Sequence, residues 1–286
     1  LGDGGHSLEI LRRDGKVVGL DVDAEGLERA RKRFEGNGIS PNRFKLIQGN
    51  FRNLDELVRP LGIKFNGVLF DLGVSSLQLE SANKGFSFLK EGPLDMRMDA
   101  SLSVRAFDLI NGLNKGELYE LFIKLGEEKF AKAIADTLVS TREVRGGTGY
   151  RVQGTGINTT KELAELVEDV YRKHGVKKWR IHPATRVFQA LRIAVNDELN
   201  ALQDGLPKAL EVLEKDGRIL VISFHSLEDR IVKNTFKKWE AEGIGEVEIK
   251  KPITPWIDDI RKNSRSRSAK MRVFVVQKTY DYNKHI

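Results

Sequence analysis

Two rhythms alternate along this chain. Lys16-Val17-Val18-Gly19-Leu20-Asp21-Val22 is a short apolar run closing on an acid, and Asn66-Gly67-Val68-Leu69-Phe70-Asp71-Leu72 repeats the form. Continuous apolar runs of this length belong to strands covered on both faces, as in parallel sheets. Between them, residues 24–35 set Leu27, Ala30 and Phe34 at helical spacing, and Phe44-Lys45-Leu46-Ile47 is a further short strand. Strands alternating with helices predict a doubly wound α/β sheet. The rhythm changes near residue 82. Helical patterns then dominate, over 103–111, 116–142, 159–174 and 184–204, with Asn158 or Thr159 as a cap and a glycine-rich loop from Arg145 to Gly156. The strand signal returns at Arg218–Phe224. A helix over 226–239 and two late strands that can pair, Glu246–Lys250 and Met271–Lys278, complete the pattern. The chain therefore reads as an α/β domain in two parts, residues 1–81 and 196–286, interrupted by an all-helical domain over 82–195.

Composition narrows the chemistry. The 286 residues contain no cysteine, which excludes disulfides, thiolate zinc sites and cysteine nucleophiles. Lysine and arginine outnumber the acids 48 to 41, and a net charge of +7 suits a polyanionic partner. No apolar run approaches the roughly 18 residues of a membrane span. The chain opens at Leu1 directly into Gly2-Asp3-Gly4-Gly5-His6-Ser7. Such a glycine-rich turn normally follows a strand, so the expectation is that the first strand of the sheet lies upstream of Leu1.

The glycine turn leads into a helix at Leu8–Leu11, and fifteen residues beyond His6 a strand ends in Asp21. Glycine allows close backbone approach to a ligand, and an acid at such a strand end can accept both hydroxyls of a ribose. The Gly-x-Gly-x-x-Gly fingerprint of dinucleotide sites is broken at Ser7. A phosphate-free methyl donor, a nicotinamide nucleotide and a purely structural turn all remain open on spacing alone. Asp71 ends the next core strand and would face the same crevice, and Phe51, after the intervening strand, could cover an adenine. Ser223, His225, Glu228 and Asp229 follow another strand end. Their spacing matches no standard zinc motif, and no Gly-x-Ser-x-Gly elbow supports a hydrolase. Arg186 and Arg192 lie on a mixed apolar and basic helix. The segment from Arg261 to Arg272 carries basic residues interleaved with serine and no acid, with Arg265, Arg267 and Lys270 as candidate phosphate contacts.

Several long strings occur in order: Gly4-Gly5-His6-Ser7, Leu20-Asp21-Val22-Asp23, Phe70-Asp71-Leu72-Gly73-Val74-Ser75-Ser76, Gln78-Leu79, Gly92-Pro93-Leu94-Asp95-Met96-Arg97-Met98-Asp99, Gly126–Ala131, His182–Ile193, Ser223–Lys233 and Ser264–Lys270. Together they resemble the bacterial small-subunit ribosomal RNA cytosine-N4 methyltransferases, the MraW or RsmH type, over nearly the whole chain. The resemblance implies a Rossmann-like S-adenosylmethionine-dependent methyltransferase sheet with the inserted helical domain. It also implies a cytoplasmic enzyme acting on a decoding-region cytidine of small-subunit ribosomal RNA or of the assembled subunit. Family donor contacts carry over onto Gly4, Gly5, His6, Asp21, Phe51, Asp71 and Gln78. Asp71, or a backbone carbonyl in 71–76, is the candidate acceptor of an amine proton, with Ser223 and His225 as substitutes, and no metal is implied. A noncatalytic RNA-binding protein retaining the fold is the competing expectation. The chain departs from the family pattern in its missing first strand, its long glycine loop and Arg265-Ser266-Arg267-Ser268.

Overall fold

The computed structural model describes residues 1–146 and 156–278. Most of the glycine-rich loop lies outside them. Two compact units result: Leu1–Gly73 together with the chain from Glu198, and Val74–Asp197. The first begins with α1 (Gly5–Arg12), β1 (Val17–Asp21), α2 (Ala24–Gly36), β2 (Phe44–Gln48), α3 (Leu54–Val58) and β3 (Phe65–Asp71). The second holds α4 (Ser76–Glu80), α5 (Ala106–Gly112), α6 (Lys115–Gly126), α7 (Ala131–Gly146), α8 (Thr160–Lys173) and α9 (Ala184–Asn196). The first then resumes with α10 (Glu198–Val212), β4 (Leu213–Ser223), α11 (Ser226–Ala241), β5 (Gly245–Val247), α12 (Ile257–Lys262) and β6 (Lys270–Val276).

The first unit is mixed α/β with a Rossmann-like sheet in two pieces. β1 and β2 pair in parallel, from Val17 opposite Phe44 to Asp21 opposite Gln48. The other piece runs β3-β4-β6-β5. β3 and β4 are parallel with Asp71 opposite Ile222, and β4 and β6 are antiparallel with Ser223 opposite Lys270. Among the described residues no ladder joins β1 to β3. This explains why the apolar run of β3 is less covered than its composition predicts: Phe70 is buried, but Val68 and Leu69 are only half-buried. β4 is different, because strands flank both its edges and α10 and α11 pack on it. Ile219 and Val221 are fully buried, with Leu202, Leu206, Phe236, Trp239 and Phe274 in the same core. Each buried methylene removed from water contributes about 0.8 kcal/mol, so this cluster carries the unit.

The local signals are conventional. Asp23 caps α2 by accepting from the Glu25 N–H at 3.2 Å, Leu27, Ala30 and Phe34 form its buried stripe, and Ala30 and Phe34 share a core with Leu8, Leu11 and Phe44. The two late strands do pair, as β5 and β6.

The helical unit packs around Ile110, Leu118, Phe122, Ile134, Leu138, Leu163 and Leu191. Val74 and Leu79 join that core, so the compact division falls at Gly73/Val74, upstream of the change of rhythm at 82. Two long helical patterns are each broken. The 116–142 pattern splits into α6 and α7 at Glu127, and the 184–204 pattern splits into α9 and α10 at Asp197. Both residues are left-handed, with φ of 48° and 51°. Gly126 marks the first break, because a Cβ there would come 2.7 Å from the Arg186 carbonyl oxygen. Just beyond the break, Glu128 is fully buried and its carboxylate accepts the Tyr171 hydroxyl at 2.8 and 2.9 Å. Burial and this hydrogen bond push the Tyr171 hydroxyl well above its ordinary pKa. No described helix is long and apolar enough to cross a membrane.

One buried ion cluster ties α11 to β6. Asp229 accepts from Arg272 Nε at 2.7 Å and from Lys270 Nζ at 3.2 Å, and both Asp229 and Arg272 are buried. Burial alone would raise the Asp229 carboxyl, but the bonds from Arg272 and Lys270 outweigh it and hold it below its usual value. Asp229→Ala should therefore cost about 3–5 kcal/mol in urea unfolding at pH 7, because Arg272 stays buried without a counter-charge. The wild-type contribution is present above the ordinary carboxylate range and is lost as pH falls through the depressed value. The stability gap between wild type and variant should accordingly narrow in acid; a gap independent of pH between 7 and 3 would refute the ion pairing.

Candidate active site

The candidate site lies at the carboxyl ends of β1, β3 and β4, where the chain leaves the sheet. At the end of β1, Asp21 is held by backbone donors. Its Oδ2 accepts from the Gly2 N–H at 2.8 Å and its Oδ1 from the Asp23 N–H at 2.9 Å. This locks the glycine turn against the strand end. Gly4 precedes α1 with φ of 73°, and a Cβ there would meet Phe34 Cε1 at 2.7 Å, so only glycine can stand at this position. Gly5 opens onto free space, with nothing within 4 Å of where a Cβ would lie. The next residue, His6, reaches across to Asp71, with Nε2 3.6 Å from Oδ2.

Asp71 has a different environment. It accepts no hydrogen bond among the described residues, and 38% of its side chain meets solvent. Burial raises its carboxyl above the ordinary value, His6 pulls it down, and Glu228 pushes it up again. The net direction is upward. Because β3 and β4 are parallel, with the Leu72 N–H bonded to the Ile222 carbonyl at 3.1 Å, the loop after β4 lies beside it.

In that loop the polar side chains are already engaged. Ser223 is buried and its Oγ donates to the Lys270 carbonyl at 3.3 Å. His225 is the N-cap of α11, its Nδ1 accepting from the Glu228 N–H at 3.4 Å. Glu228 Oε2 accepts from the Phe224 and His225 N–H groups at 2.8 and 3.3 Å, a capping box. The donor atoms of Glu198, His225 and Glu228 come within 4.8 Å of one another. A cation there would need His225 Nε2 as a lone pair, whereas the capping bond to Nδ1 places the ring proton on Nε2. The arrangement is that of a helix cap. Asp229, which the spacing put beside these residues, instead faces Arg272 and Lys270.

The remaining sequence candidates divide. Phe51 stands edge-on to Phe70 at 5.5 Å and packs on Gly205 of α10, a core contact. Gln78 belongs to the helical unit, where its Oε1 accepts from the Ser75 N–H at 3.0 Å in the α4 capping box. Arg186 and Arg192 are also in that unit. Arg186 donates to the Glu127 carbonyl at 2.6 Å, so it and Gln189, bonded to Leu125 O at 3.1 Å, satisfy the end of α6. Arg265 and Arg267 are exposed on the single-turn helix Ser264–Ser268, while Lys270 turns to Asp229. Sequence reasoning missed Glu198, brought to the loop by the turn at Asp197, and the Asp95–Arg97 pair of the helical unit. That pair is bidentate at 2.8 Å beside Met96, itself left-handed and fully buried. The only signal for it was the Asp-Met-Arg-Met string.

The MraW methylase family matches over residues 1–278. A ribosomal RNA small subunit methyltransferase H of Persephonella marina is 46% identical over 280 residues, covering 96% of this chain and 89% of the relative. Proteins of the same name from Sulfurihydrogenibium azorense and Carboxydothermus hydrogenoformans are each 46% identical, over 279 and 290 residues, covering 96% and 95% of this chain and 89% and 88% of theirs. With a sheet of this type, acids at successive strand ends and a family match running almost end to end, the chain belongs to the MraW methylase family.

Proposed function

We propose that this chain transfers the methyl group of S-adenosylmethionine to the N4 amine of a cytidine in the decoding region of small-subunit ribosomal RNA, in the cytoplasm. The observation that carries the reading is the contrast between two strand-end acids: Asp21, fixed by backbone N–H groups, and Asp71, which faces His6 without accepting a hydrogen bond and whose carboxyl is raised by burial. The names of the relatives support the substrate class.

The residues present fit the donor. The open space at Gly5 and the absence of a side-chain cap on α1 leave room for a nucleoside without phosphates. Asp21 retains lone pairs for ribose hydroxyls beside its two backbone bonds. When bound, S-adenosylmethionine supplies an electrophilic methyl on a sulfonium. The cytosine amine is a weak nucleophile because its lone pair is delocalised into the ring. Asp71 would accept one of its hydrogens, which localises the lone pair, and would take that proton as the N–C bond forms and the sulfonium S–C bond breaks, its electron pair leaving with the sulfur as a neutral thioether. A carboxylate pushed upward by burial is a better acceptor than an ordinary one. Ser223 and His225 are poorer candidates, since both already serve backbone groups. Positioning nucleophile and methyl about 3–3.5 Å apart supplies much of the rate, and the target base must leave its stack to arrive there.

Mass spectrometry of small-subunit ribosomal RNA nucleosides tests the reading: N4-methylcytidine should disappear in cells lacking this gene and return on complementation. Unchanged N4-methylcytidine would overturn it. Asp21→Ala should weaken S-adenosylmethionine binding by about 1.5–3 kcal/mol in calorimetry, the range for a hydrogen bond to a charged group. Asp71→Asn should abolish most methyl transfer yet melt no lower than wild type at pH 7. The ionised form is disfavoured in the folded state, a cost present at neutral pH and absent below the unfolded value near 3.8, where both states are protonated. A variant less stable at pH 7 would show that Asp71 is a structural ion-pair member.

A further inference from the structure

The segment from Lys250 to Arg272 holds eight cations and only two carboxylates, Asp258 and Asp259. Its geometry is fixed by main-chain bonds. Ile253 and Met271 exchange both N–H to carbonyl bonds, at 2.9 and 2.8 Å, which anchors the segment to the start of β6. Pro252 and Pro255 restrict the backbone on either side of Ile253. The Trp256 N–H then donates to Asp259 Oδ2 at 3.1 Å and opens α12, which packs against the turn Ser264–Ser268 that carries Arg265 and Arg267. On this anchored support the Trp256 side chain stands out: the residue is 81% exposed, and Ile257 beside it 70%. Adjacent exposed apolar side chains rimmed by charged residues are the kind of surface that an interaction partner covers. Of the two nearby acids, Asp259 caps the helix and Asp258 pairs with Arg261 at 3.0 Å. Lys250, Lys251, Lys262 and Arg267 make no ion pair among the described residues.

From this juxtaposition we infer that Trp256 is a stacking platform for an unpaired base of an RNA whose backbone runs along Arg265 and Arg267. Charge complementarity selects the partner: an apolar protein surface would leave the surrounding cations uncompensated, whereas a single strand supplies an aromatic face and phosphates at once. The inference rests on the reading above that the chain acts on RNA, and it assigns Trp256 a role in holding single-stranded RNA away from the methyl-transfer chemistry.

The test uses the full chain and an unstructured oligoribonucleotide of about 10 nucleotides, within the span of a single-strand site. Trp256→Ala should weaken binding about five- to 150-fold without changing the salt slope, and Trp256→Phe should restore most of it. Replacing Arg265 and Arg267 by Gln should lower the log–log salt slope, by about 0.7 for each phosphate no longer neutralised. Binding should quench tryptophan fluorescence in the wild type and much less in Trp256→Phe, since Trp239 is buried and Trp179 half-buried. S-adenosylmethionine affinity should be the same in all variants. Unaltered oligonucleotide affinity in Trp256→Ala overturns the inference, as does loss of self-association in that variant with RNA binding intact, which would assign the patch to a second copy. Normal quenching in a chain that leaves N4-methylcytidine unchanged in cells would instead fail the methyltransferase reading and leave the platform standing.

Discussion

The arrangement of the α/β unit depends on one strand satisfying its backbone on both edges. β4 carries the apolar run Ile219–Ile222 and is buried by helices, so its N–H and carbonyl groups have no water to turn to. They pair with β3 on one side and β6 on the other, and those registers decide what meets at the rim. Asp71 is delivered opposite Ile222, and Ser223 opposite Lys270. A slip of one residue on either side would send every side chain of that strand to the opposite face. The apolar side chains of β3 and β6 make that slip expensive, because Phe70 and Phe274 would leave the core. The position of the candidate chemistry is therefore a consequence of hydrophobic register and needs no contribution from the polar residues themselves.

The polar residues around this rim divide by what already holds them. Asp229 is neutralised by two cations and works as a lock between α11 and β6. Glu228 and His225 close a helix end. Asp21 is pinned by backbone N–H groups, which fixes its direction and leaves lone pairs for a ligand. Of these groups, Asp229 has its ionised form favoured in the folded chain by the bonds it accepts. Asp71 has the reverse balance, since burial disfavours its charge more than His6 restores it. A group kept at a disadvantage inside a fold that satisfies its neighbours is a candidate for chemistry.

Much of this was legible in the sequence, and the failures share a cause. Strand runs closing on Asp21 and Asp71, a cap at Asn158 or Thr159, of which Thr159 is the one used, and the pairing of the late strands follow from local pattern and near neighbours. The breaks at Glu127 and Asp197 were not visible, because non-glycine residues hold the left-handed turns and apolar residues continue at helical spacing on either side. Lys270 read as a phosphate contact because its neighbours in sequence are Arg265 and Arg267, yet its partner Asp229 lies 41 residues earlier. Arg186 read as part of a basic face, although it serves a carbonyl across a helix break that pattern alone had erased. Periodicity reports which face is buried; it does not report which distant group a charged side chain will find.

That distinction bears on how a basic segment should be weighed. Counting charges from Arg261 to Arg272 overstates what is offered to a polyanion, since Arg272 is buried on Asp229 and Lys270 leans on the same carboxylate. The cations left at the surface are fewer but better placed, set on a turn braced by Asn263, whose Oδ1 accepts from the Arg265 N–H at 3.2 Å and whose carbonyl accepts the Ser266 hydroxyl at 2.7 Å. Ser266 thus helps shape the turn, and the exposed Arg265 and Arg267 flank it. A rigid support limits the entropy lost when a flexible strand docks, which is where preorganisation gains affinity. The same ion cluster that stabilises α11 against β6 therefore also fixes the base from which this exposed surface is presented.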